Sequence, residues 1–268
     1  MKNVFKYIIL FILALLFVLP IYVVIMTSIK STDAITLERM WELPKQLDLS
    51  GYKTAFDRLS PHLLNSLLLV IPATTISAFL GSMNGYILSK WQFKGSNLIF
   101  ALLLFGMFIP YQSILIPLIN FLQSIQLYNS LPGLILVHVI YGLPICTLMF
   151  RNFYVSVPNE VLEAAKIDGT GFFGIYRTIM VPLSLTGFVV VGIWQFTNIW
   201  NEFLFAVTLT TQNQQPIMVA LQNLSGSQIV HWNVQMAGAL LAALPTLIVY
   251  IFLSRYFIRG LLAGSIKG

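Results

Sequence analysis

Apolar residues gather in six long blocks along the chain, and short polar segments separate them. A membrane-spanning helix needs about 20 predominantly apolar residues, and each block approaches or exceeds that length. The pattern therefore predicts an all-α polytopic membrane protein with six transmembrane helices. The predicted spans are Tyr7–Ile29, Leu63–Leu88, Leu98–Leu122, Pro132–Phe150, Leu183–Leu209 and Met236–Phe257.

Proline and small residues occur inside these spans. Neighbouring helices in a membrane bundle can satisfy the carbonyl groups that an interior proline leaves free, so we expect the spans to tolerate them. Gly81 and Gly85 form a GxxxG pair, which is typical of close helix packing in membranes. The interior prolines are Pro20, Pro72, Pro110, Pro117, Pro144 and Pro245.

Composition also favours a surface that faces hydrocarbon. Hydrophobic residues make up 57% of the 268 positions and charged residues only 9%, and the mean hydropathy is +0.84. A soluble domain carries roughly a quarter charged residues. The net charge of +6 comes from Lys and Arg scattered in ones and twos, whereas nucleic-acid binding requires a clustered basic surface. With Cys146 as its one cysteine, the chain has no internal disulfide.

The first apolar block follows Lys2 and Lys6 and is similar in outline to a secretory signal peptide. Its apolar stretch is longer than the roughly 7–15 residues of a signal core, and no small-x-small cleavage pattern closes it. We therefore expect this block to be a retained span.

The basic residues predict the orientation of the spans, because cytoplasmic loops carry an excess of Lys and Arg. With the N-terminus inside, ten basic residues fall on the cytoplasmic side and five on the outer side, and both termini are cytoplasmic. The outer loops 123–131 and 210–235 hold no Lys or Arg. The inner ten are Lys2, Lys6, Lys90, Lys94, Arg151, Lys166, Arg177, Arg255, Arg259 and Lys267, and the outer five are Lys30, Arg39, Lys45, Lys53 and Arg58.

The segment Arg151–Val181 lies between spans four and five. It is too polar to span the membrane, and its pattern is too helical for an unstructured linker. Pro158 suits the first turn of a helix, and helix-forming residues follow it through Lys166. Gly169 stands where a left-handed residue ends a helix, and a second short helix is predicted over Phe172–Ile179. The pattern indicates a cytoplasmic helix-turn-helix.

Within this segment, EAAKIDGTGFFGIYRTIMVPL (Glu163–Leu183) resembles the EAA loop of ABC importer permeases. The likeness lies in Glu-Ala-Ala, a glycine a few residues later and a closing Ile-x-x-Pro. Val181 departs from the pattern, which commonly has leucine there, but it keeps an apolar residue. The matching positions are Glu163, Ala164, Ala165, Asp168, Gly169, Ile179 and Pro182.

Further stretches resemble the maltose-type branch of carbohydrate permeases, and the likeness covers nearly everything from Asn65 onward. The short N-terminus is similar to the smaller of the two permease partners in such importers. The stretches are GYILSKWQFKG (Gly85–Gly95), MFIPYQSILIPL (Met107–Leu118), WNEFLFAVTL (Trp200–Leu209) and RYFIRGLLAGSIKG (Arg255–Gly268).

The resemblance implies a single transmembrane permease domain over residues 1–268, with an outer loop 30–62 and an EAA coupling loop 151–181. The implied partners are a second, different permease, two ATPase subunits and an extracytoplasmic solute-binding protein. The chain has no GxxxxGK[ST] phosphate loop. ATP and Mg²⁺ are therefore expected on the ATPase subunits, and no cofactor is expected in this chain. The expected location is a bacterial cytoplasmic (inner) membrane.

In the family, the EAA helix seats in a cleft of the ATPase and carries its motion into the spans. The resemblance assigns this coupling role to Glu163, Ala164, Ala165, Asp168 and Gly169. From the residues alone, the segment is equally consistent with an ordinary amphipathic helix on the membrane surface, with Glu163 and Lys166 as an i,i+3 pair.

Candidates for the substrate path lie mostly in the fifth span, because polar side chains within a membrane tend to face the bundle interior. Trp194, Asn198 and Asn201 share one helical face. Glu202 lies on the neighbouring stripe, is the only acidic residue in a predicted span, and is expected near the hydrated outer edge. The structural alternative is interhelical hydrogen bonding and an interfacial aromatic belt. Weaker candidates are Gln112, His138 and Tyr141.

Two other classes of membrane protein fit the pattern less well. A membrane enzyme such as a lipid-linked transferase would need clustered acidic or His residues at a membrane face. The one carboxylate cluster, Glu160–Asp168, lies in the coupling loop without a nearby His. A secondary transporter would show inverted repeats and ion-coupling carboxylates. Expected substrates are glucose, a related small sugar or a glucosylglycerol-type solute, with a non-sugar ABC importer as the other possibility.

Overall fold

A computed structural model describes the backbone of residues 2–91, 93–226 and 230–265, and the side chains of 4–91, 93–226 and 230–253. All regular structure in these ranges is helical, so the predicted all-α polytopic fold is confirmed. The end of the predicted C-terminal match, residues 266–268, and Gln92 lie outside the described residues. The helices are α1 Lys2–Ser28, α2 Ser50–Lys90, α3 Ser96–Phe105, α4 Leu115–Ser124, α5 Leu131–Val155, α6 Asn159–Ile167, α7 Phe172–Ile175, α8 Val181–Leu183, α9 Leu185–Asn201, α10 Leu204–Leu209, α11 Ile217–Ser225 and α12 Trp232–Ser265.

Four of the helices, α1, α2, α5 and α12, are long and apolar enough to cross a membrane by themselves. Two further stretches pass the same criterion only as pairs of helices bent at a break. The count reaches the predicted six if each bent pair is one span.

The third predicted span, Leu98–Leu122, is one of these bent stretches and not a continuous helix. Its two halves, Ser96–Phe108 and Tyr111–Ser124, meet at 92°. Ile109 is extended, with ψ of 118°, and Pro110 follows with ψ of 119°. A proline disfavours helical geometry in the residue before it, which explains the break at this site. Pro20, Pro144 and Pro245 remain inside helices, as expected.

The fifth predicted span, Leu183–Leu209, is also divided. Its main helix is α9, and the chain leaves the helix at Glu202, whose ψ is 130°, before α10 begins. On the other side, helical structure already runs from α7 through a π-helical turn, Tyr176–Met180, to α8. This stretch meets α9 at 75°. Pro182 offers no N–H to continue the regular hydrogen-bond ladder, and an irregular helix is expected around such a position.

The last part of the predicted outer loop 30–62 is helical, because α2 begins at Ser50 and not at Leu63. With 41 residues, α2 is about 60 Å long, twice the thickness of the hydrocarbon core. The Asp48 carboxylate accepts the Ser50 N–H at 2.8 Å, just ahead of the helix. Hydrogen bonds from Ser50 lower the pKa of the Asp48 carboxyl below its usual value.

The chain divides into two compact units, one of residues 1–64 with 216–245 and one of residues 65–215 with 246–268. In the second unit, α2 packs against α5 through the GxxxG pair. A Cβ at Gly81 would overlap the Cys146 Cβ, and one at Gly85 would lie 2.8 Å from the Phe150 Cβ. A buried core that includes Tyr86, Phe150 and Met180 surrounds this contact. Both glycines therefore serve the close packing that their spacing predicts.

Candidate substrate cavity and coupling segment

A cavity of about 430 Å³ opens beside α9 in the second unit. The face of α9 that carries Trp194, Asn198 and Asn201 borders it, and all three side chains are exposed in the single chain. The amide nitrogen of Asn198 donates to the Trp194 carbonyl at 2.8 Å, and that of Asn201 to the Thr197 carbonyl at 2.9 Å. These bonds hold both amides against their own helix.

Aromatic rings form a second wall of the cavity, centred on Phe205 of α10. Its ring lies 5.1 Å from that of Tyr111 and 5.0 Å from that of Tyr141. The His138 ring meets it edge-on at 6.1 Å. Tyr141 and His138 were weaker candidates from the sequence, whereas Tyr111 and Phe205 were not predicted. An aromatic residue beside the Pro110 break is the one signal that could have indicated Tyr111.

Glu202 and His138 form the polar end of this cavity. The carboxylate of Glu202 accepts the N–H groups of Phe205 at 2.7 Å and Ala206 at 3.1 Å, and so caps α10. Its side chain is 16% exposed and borders the cavity. The His138 Nε2 atom lies 3.7 Å from Glu202 Oε2, beyond hydrogen-bonding distance. That nitrogen has no hydrogen bond among the described residues.

Gln195, on the stripe beside this face, makes hydrogen bonds to two neighbouring helices. It is 3% exposed, and its amide nitrogen donates to Ser77 Oγ on α2 at 3.2 Å and to the His138 carbonyl on α5 at 3.3 Å. A Cβ at Gly142 would overlap that amide nitrogen. Glycine at this position therefore lets α9 approach α5, and Gln195 hydrogen-bonds three helices together.

Gln112 is not part of the cavity lining. Its side chain is exposed, and the neighbouring Tyr111 borders the cavity instead. The two residues lie in a short 3₁₀ turn, Tyr111–Ile114, which follows the break at Pro110. The substrate-path prediction for Gln112 therefore lacks geometric support, because the predicted continuous helix would have oriented this position differently.

The segment 151–181, which the resemblance identifies as a coupling loop and which is called the coupling segment from here on, has the predicted helix-turn-helix form at its start. Pro158 precedes α6, and Gly169 ends it with φ of +78°. The Gly169 N–H donates to the Lys166 carbonyl at 3.0 Å, and the Thr170 N–H donates to the Ala165 carbonyl at 2.9 Å. This pair of bonds is the Schellman arrangement, in which a left-handed glycine closes the helix.

The two faces of α6 differ in exposure. Leu162 and Ala165 are buried in the core of the second unit, at 4% and 7% exposure. The opposite face presents Glu163 and Ala164 together with Ile167, which is 87% exposed. Asp168 and Gly169 are exposed at the end of the helix. Ala165 therefore packs inward, while Ile167 is an outward apolar side chain that the motif did not indicate.

The described residues contain no group of three or more His, Cys, Asp or Glu side chains placed to hold a metal ion. The carboxylates of the coupling segment do not converge on a histidine. The arrangement offers an aromatic and amide-lined cavity and an outward-facing short helix.

Comparison with known proteins gives matches over most of the chain. The family model for the binding-protein-dependent transport system inner membrane component matches residues 77–262. A probable ABC transporter permease protein of Pyrococcus horikoshii is 53% identical over 174 residues, which are 65% of this chain and 63% of that protein. The xylose/arabinose import permease protein of Haloferax volcanii is 36% identical, over 91% of this chain and 87% of that one.

Two further matches extend over almost the whole length. The glucose import system permease protein of Saccharolobus solfataricus is 32% identical, over 100% of this chain and 96% of that protein. The crystal structure of a bacterial ABC transporter that imports the acidic polysaccharide alginate contains a chain with a TM-score of 0.84 and 21% identity, with 96% of both chains covered. The chain therefore belongs to the family of binding-protein-dependent transport system inner membrane components, the permeases of ABC transporters, and is a transport subunit rather than an enzyme.

Proposed function

We propose that this chain is the smaller permease of a carbohydrate ABC importer, in which it forms half of the translocation pathway. The observation that carries the proposal is the face of Trp194, Asn198 and Asn201, which is exposed on a membrane helix and borders a cavity. Polar side chains within a membrane face a bundle interior or a water-filled path because hydrocarbon cannot satisfy them. An aqueous path is therefore the setting that fits this face.

The chemistry of the cavity suits a neutral polyol. An indole ring offers a flat apolar surface to the C–H face of a sugar, and an amide offers both a donor and an acceptor to its hydroxyl groups. At the polar end, the Glu202 carboxylate borders the cavity, 3.7 Å from His138 Nε2. The Glu202 charge is already directed at two backbone N–H groups.

Relatives support the same substrate class. Two of the relatives described above, which match over 87% or more of both chains, carry xylose/arabinose and glucose in their names. Glucose, a related small sugar or a glucosylglycerol-type solute is therefore the proposed cargo. The proposed location is a bacterial cytoplasmic membrane with both termini inside, as the distribution of basic residues predicts.

The proposed partners follow from the family and from the surfaces of the chain. A solute-binding protein outside the cell delivers the sugar, and two ATPase subunits bind ATP and Mg²⁺ in the cytoplasm. A second permease completes the pathway, and together with lipid it covers apolar surface such as Val4–Ile21 of α1, whose side chains are all exposed.

The proposed ATPase contact is the outer face of α6. Glu163 and Ala164 lie on it, Asp168 and Gly169 shape its end, and Ile167 adds an apolar contact. Ala165 contributes indirectly, because it packs the helix onto the body of the second unit. Ile167, Glu163 and Ala164 thus offer a partner one apolar, one charged and one small side chain on the same exposed face.

The test is uptake by the complete importer in proteoliposomes. Radiolabelled glucose, xylose and arabinose are compared with proline and phosphate at equal concentrations. Accumulation of at least one sugar, driven by ATP and dependent on the binding protein, is expected. Accumulation of proline or phosphate without any sugar would assign the chain to a non-sugar importer.

A variant links the uptake to the cavity. Replacing Trp194 with Ala should lower sugar uptake roughly tenfold, the effect of about 1.4 kcal/mol of lost binding, whereas Trp194→Phe should retain most of it. Trp41→Ala is the matched control, since Trp41 is exposed in the other unit and does not line the cavity. Equal uptake in Trp194→Ala and Trp41→Ala would remove the cavity from the pathway.

A further inference from the structure

The cytoplasmic end of α2 contacts the coupling segment, although neither end of that segment is joined to α2. Tyr86 is fully buried, and its ring stacks on Tyr176 of the π-helical turn with 5.5 Å between centroids and 26° between planes. Its hydroxyl group donates to the Phe172 carbonyl at 3.4 Å. The second arm of the helix-turn-helix is therefore packed onto α2.

Trp91, the residue that follows α2, contacts both arms. Its ring meets Phe172 edge-on at 5.0 Å. The Lys166 Nζ atom of α6 lies 4.7 Å from the centroid of the same ring, which is within cation–π distance. A single side chain at the end of α2 therefore touches the helices on both sides of the Gly169 turn.

Lys90, the last residue of α2, contacts the start of α6. Its Nζ atom donates to the Val157 carbonyl at 2.5 Å and to Asn159 Oδ1 at 2.9 Å. These two acceptors flank Pro158, where α6 begins. Hydrogen bonds from a charged donor are among the stronger ones in proteins, so this contact fixes where the first turn of α6 lies.

The same helix reaches the candidate cavity. Ser77 of α2 accepts a hydrogen bond from Gln195, which lines that cavity. Thirteen residues separate Ser77 from Lys90, or about 20 Å of helix at 1.5 Å per residue. Within the second unit, α2 thus connects the coupling segment to the cavity by a route that bypasses the covalent connections through α5 and α9.

We propose that α2 transmits the motion of the coupling segment to the substrate cavity, with Lys90 and Trp91 as the positioning residues that make the end of α2 and α6 move as one body. Close-packed interiors shift between discrete arrangements and do not deform continuously. A displacement of α6 by an ATPase therefore carries α2 with it. The proposal rests on the proposed coupling function of α6.

The direct test measures a distance in the assembled importer. Spin labels are placed at Leu80→Cys on α2 and Val161→Cys on α6, two positions with exposed side chains outside the proposed ATPase contact, and the buried Cys146 is left in place. Pulsed electron–electron resonance is recorded without nucleotide and with ATP and vanadate, and a second label pair on the ATPase subunits reports their closure. The 80–161 distance distribution should be the same in both states. A shift of its mean by more than its width would show that the two elements move separately and would overturn the proposal.

Variants separate transmission from a purely structural role. The double variant Lys90→Met with Trp91→Ala should co-purify with the ATPase as the wild type does, because the outer face of α6 is unchanged, while its 80–161 distribution broadens and shifts on ATP binding. The conservative variants Lys90→Arg and Trp91→Phe should restore the narrow distribution. A loss of ATPase co-purification by the double variant, or an unchanged distribution in it, would overturn the proposal.

A failure of this proposal about α2 can be distinguished from a failure of the proposed coupling function of α6. Glu163→Lys tests ATPase docking without changing any contact of Lys90 or Trp91. If Glu163→Lys kept normal docking, the ATPase contact would be wrongly assigned, whereas the wild-type distance between positions 80 and 161 would still decide whether α2 and α6 move together.

Discussion

The phenolic oxygen of Tyr154, on α5, lies 2.9 Å from Oγ of Ser184 at the bend between α8 and α9. The same oxygen lies 2.6 Å from Oγ of Ser82 on α2, and that serine accepts the hydroxyl group of Tyr176 at 3.1 Å. Tyr154, Ser82 and Ser184 are each almost fully buried. Four hydroxyl groups thus hold the bent entry to α9 against both α2 and α5.

Replacing Tyr154 with Phe should destabilise the chain by about 1–3 kcal/mol, because two buried hydroxyl groups lose a partner that water cannot replace. The measurement is the thermal unfolding of the purified chain in detergent. Tyr7→Phe is the control, since Tyr7 is 71% exposed on α1. Equal Tm values for the two variants would mean that the hydroxyl network adds nothing to stability.

Replacing Gly169 with Leu should disturb the turn of the coupling segment. Its φ of +78° costs a residue with a side chain about 1–2 kcal/mol. The chain should still insert into the membrane, but ATPase co-purification should fall. Gly171→Leu is a matched control two residues away, because Gly171 has φ of −77° and open space around a Cβ. Indistinguishable behaviour of the two variants would contradict the importance of the turn geometry.

Replacing Glu163 with Lys should weaken ATPase docking, since the substitution reverses a charge on the outer face of α6. The measurement is ATPase co-purification together with binding-protein-stimulated hydrolysis in proteoliposomes. Asp57→Lys makes the same charge change at an exposed position of α2 and should leave both quantities unchanged. Normal assembly and normal stimulated turnover of Glu163→Lys would reduce α6 to an ordinary surface helix.

Topology can be tested with reporters inserted into the loops. The ten-to-five division of Lys and Arg predicts that a reporter within Gly95–Asn97, or one fused after Gly268, lies in the cytoplasm. A reporter within Gln123–Asn129 should lie outside. The opposite pattern of labelling would reverse the orientation, and with it the placement of the coupling segment.

A single-chain test follows from the absence of a phosphate loop. The purified subunit should hydrolyse no ATP and transport no sugar by itself, because the sequence holds no GxxxxGK[ST] motif. The measurement is phosphate release and sugar uptake in proteoliposomes with and without the ATPase. Sugar-stimulated hydrolysis by the lone subunit would contradict the proposal that only the ATPase subunits hydrolyse ATP.

The sequence by itself determined the class of the fold and the local shape of the coupling segment. The length of an apolar segment decides whether it can cross a membrane. For a segment such as α5, that length can be read from consecutive residues without knowing any distant contact. The left-handed glycine at position 169 and the common face of Trp194, Asn198 and Asn201 are likewise local, because helix periodicity sets them within a few residues.

Only the tertiary structure decided where two of the predicted spans break and which side chains meet. Apolar composition continues through Ile109–Pro110, so length alone predicted one helix where the structure has a 92° bend. Beyond that bend Tyr111, and not the predicted Gln112, reaches the cavity. The contacts of Tyr86 with Tyr176 and of Lys90 with Val157 join residues 67 to 90 positions apart. Such contacts depend on how helices pack against one another, and neither hydropathy nor periodicity carries that information.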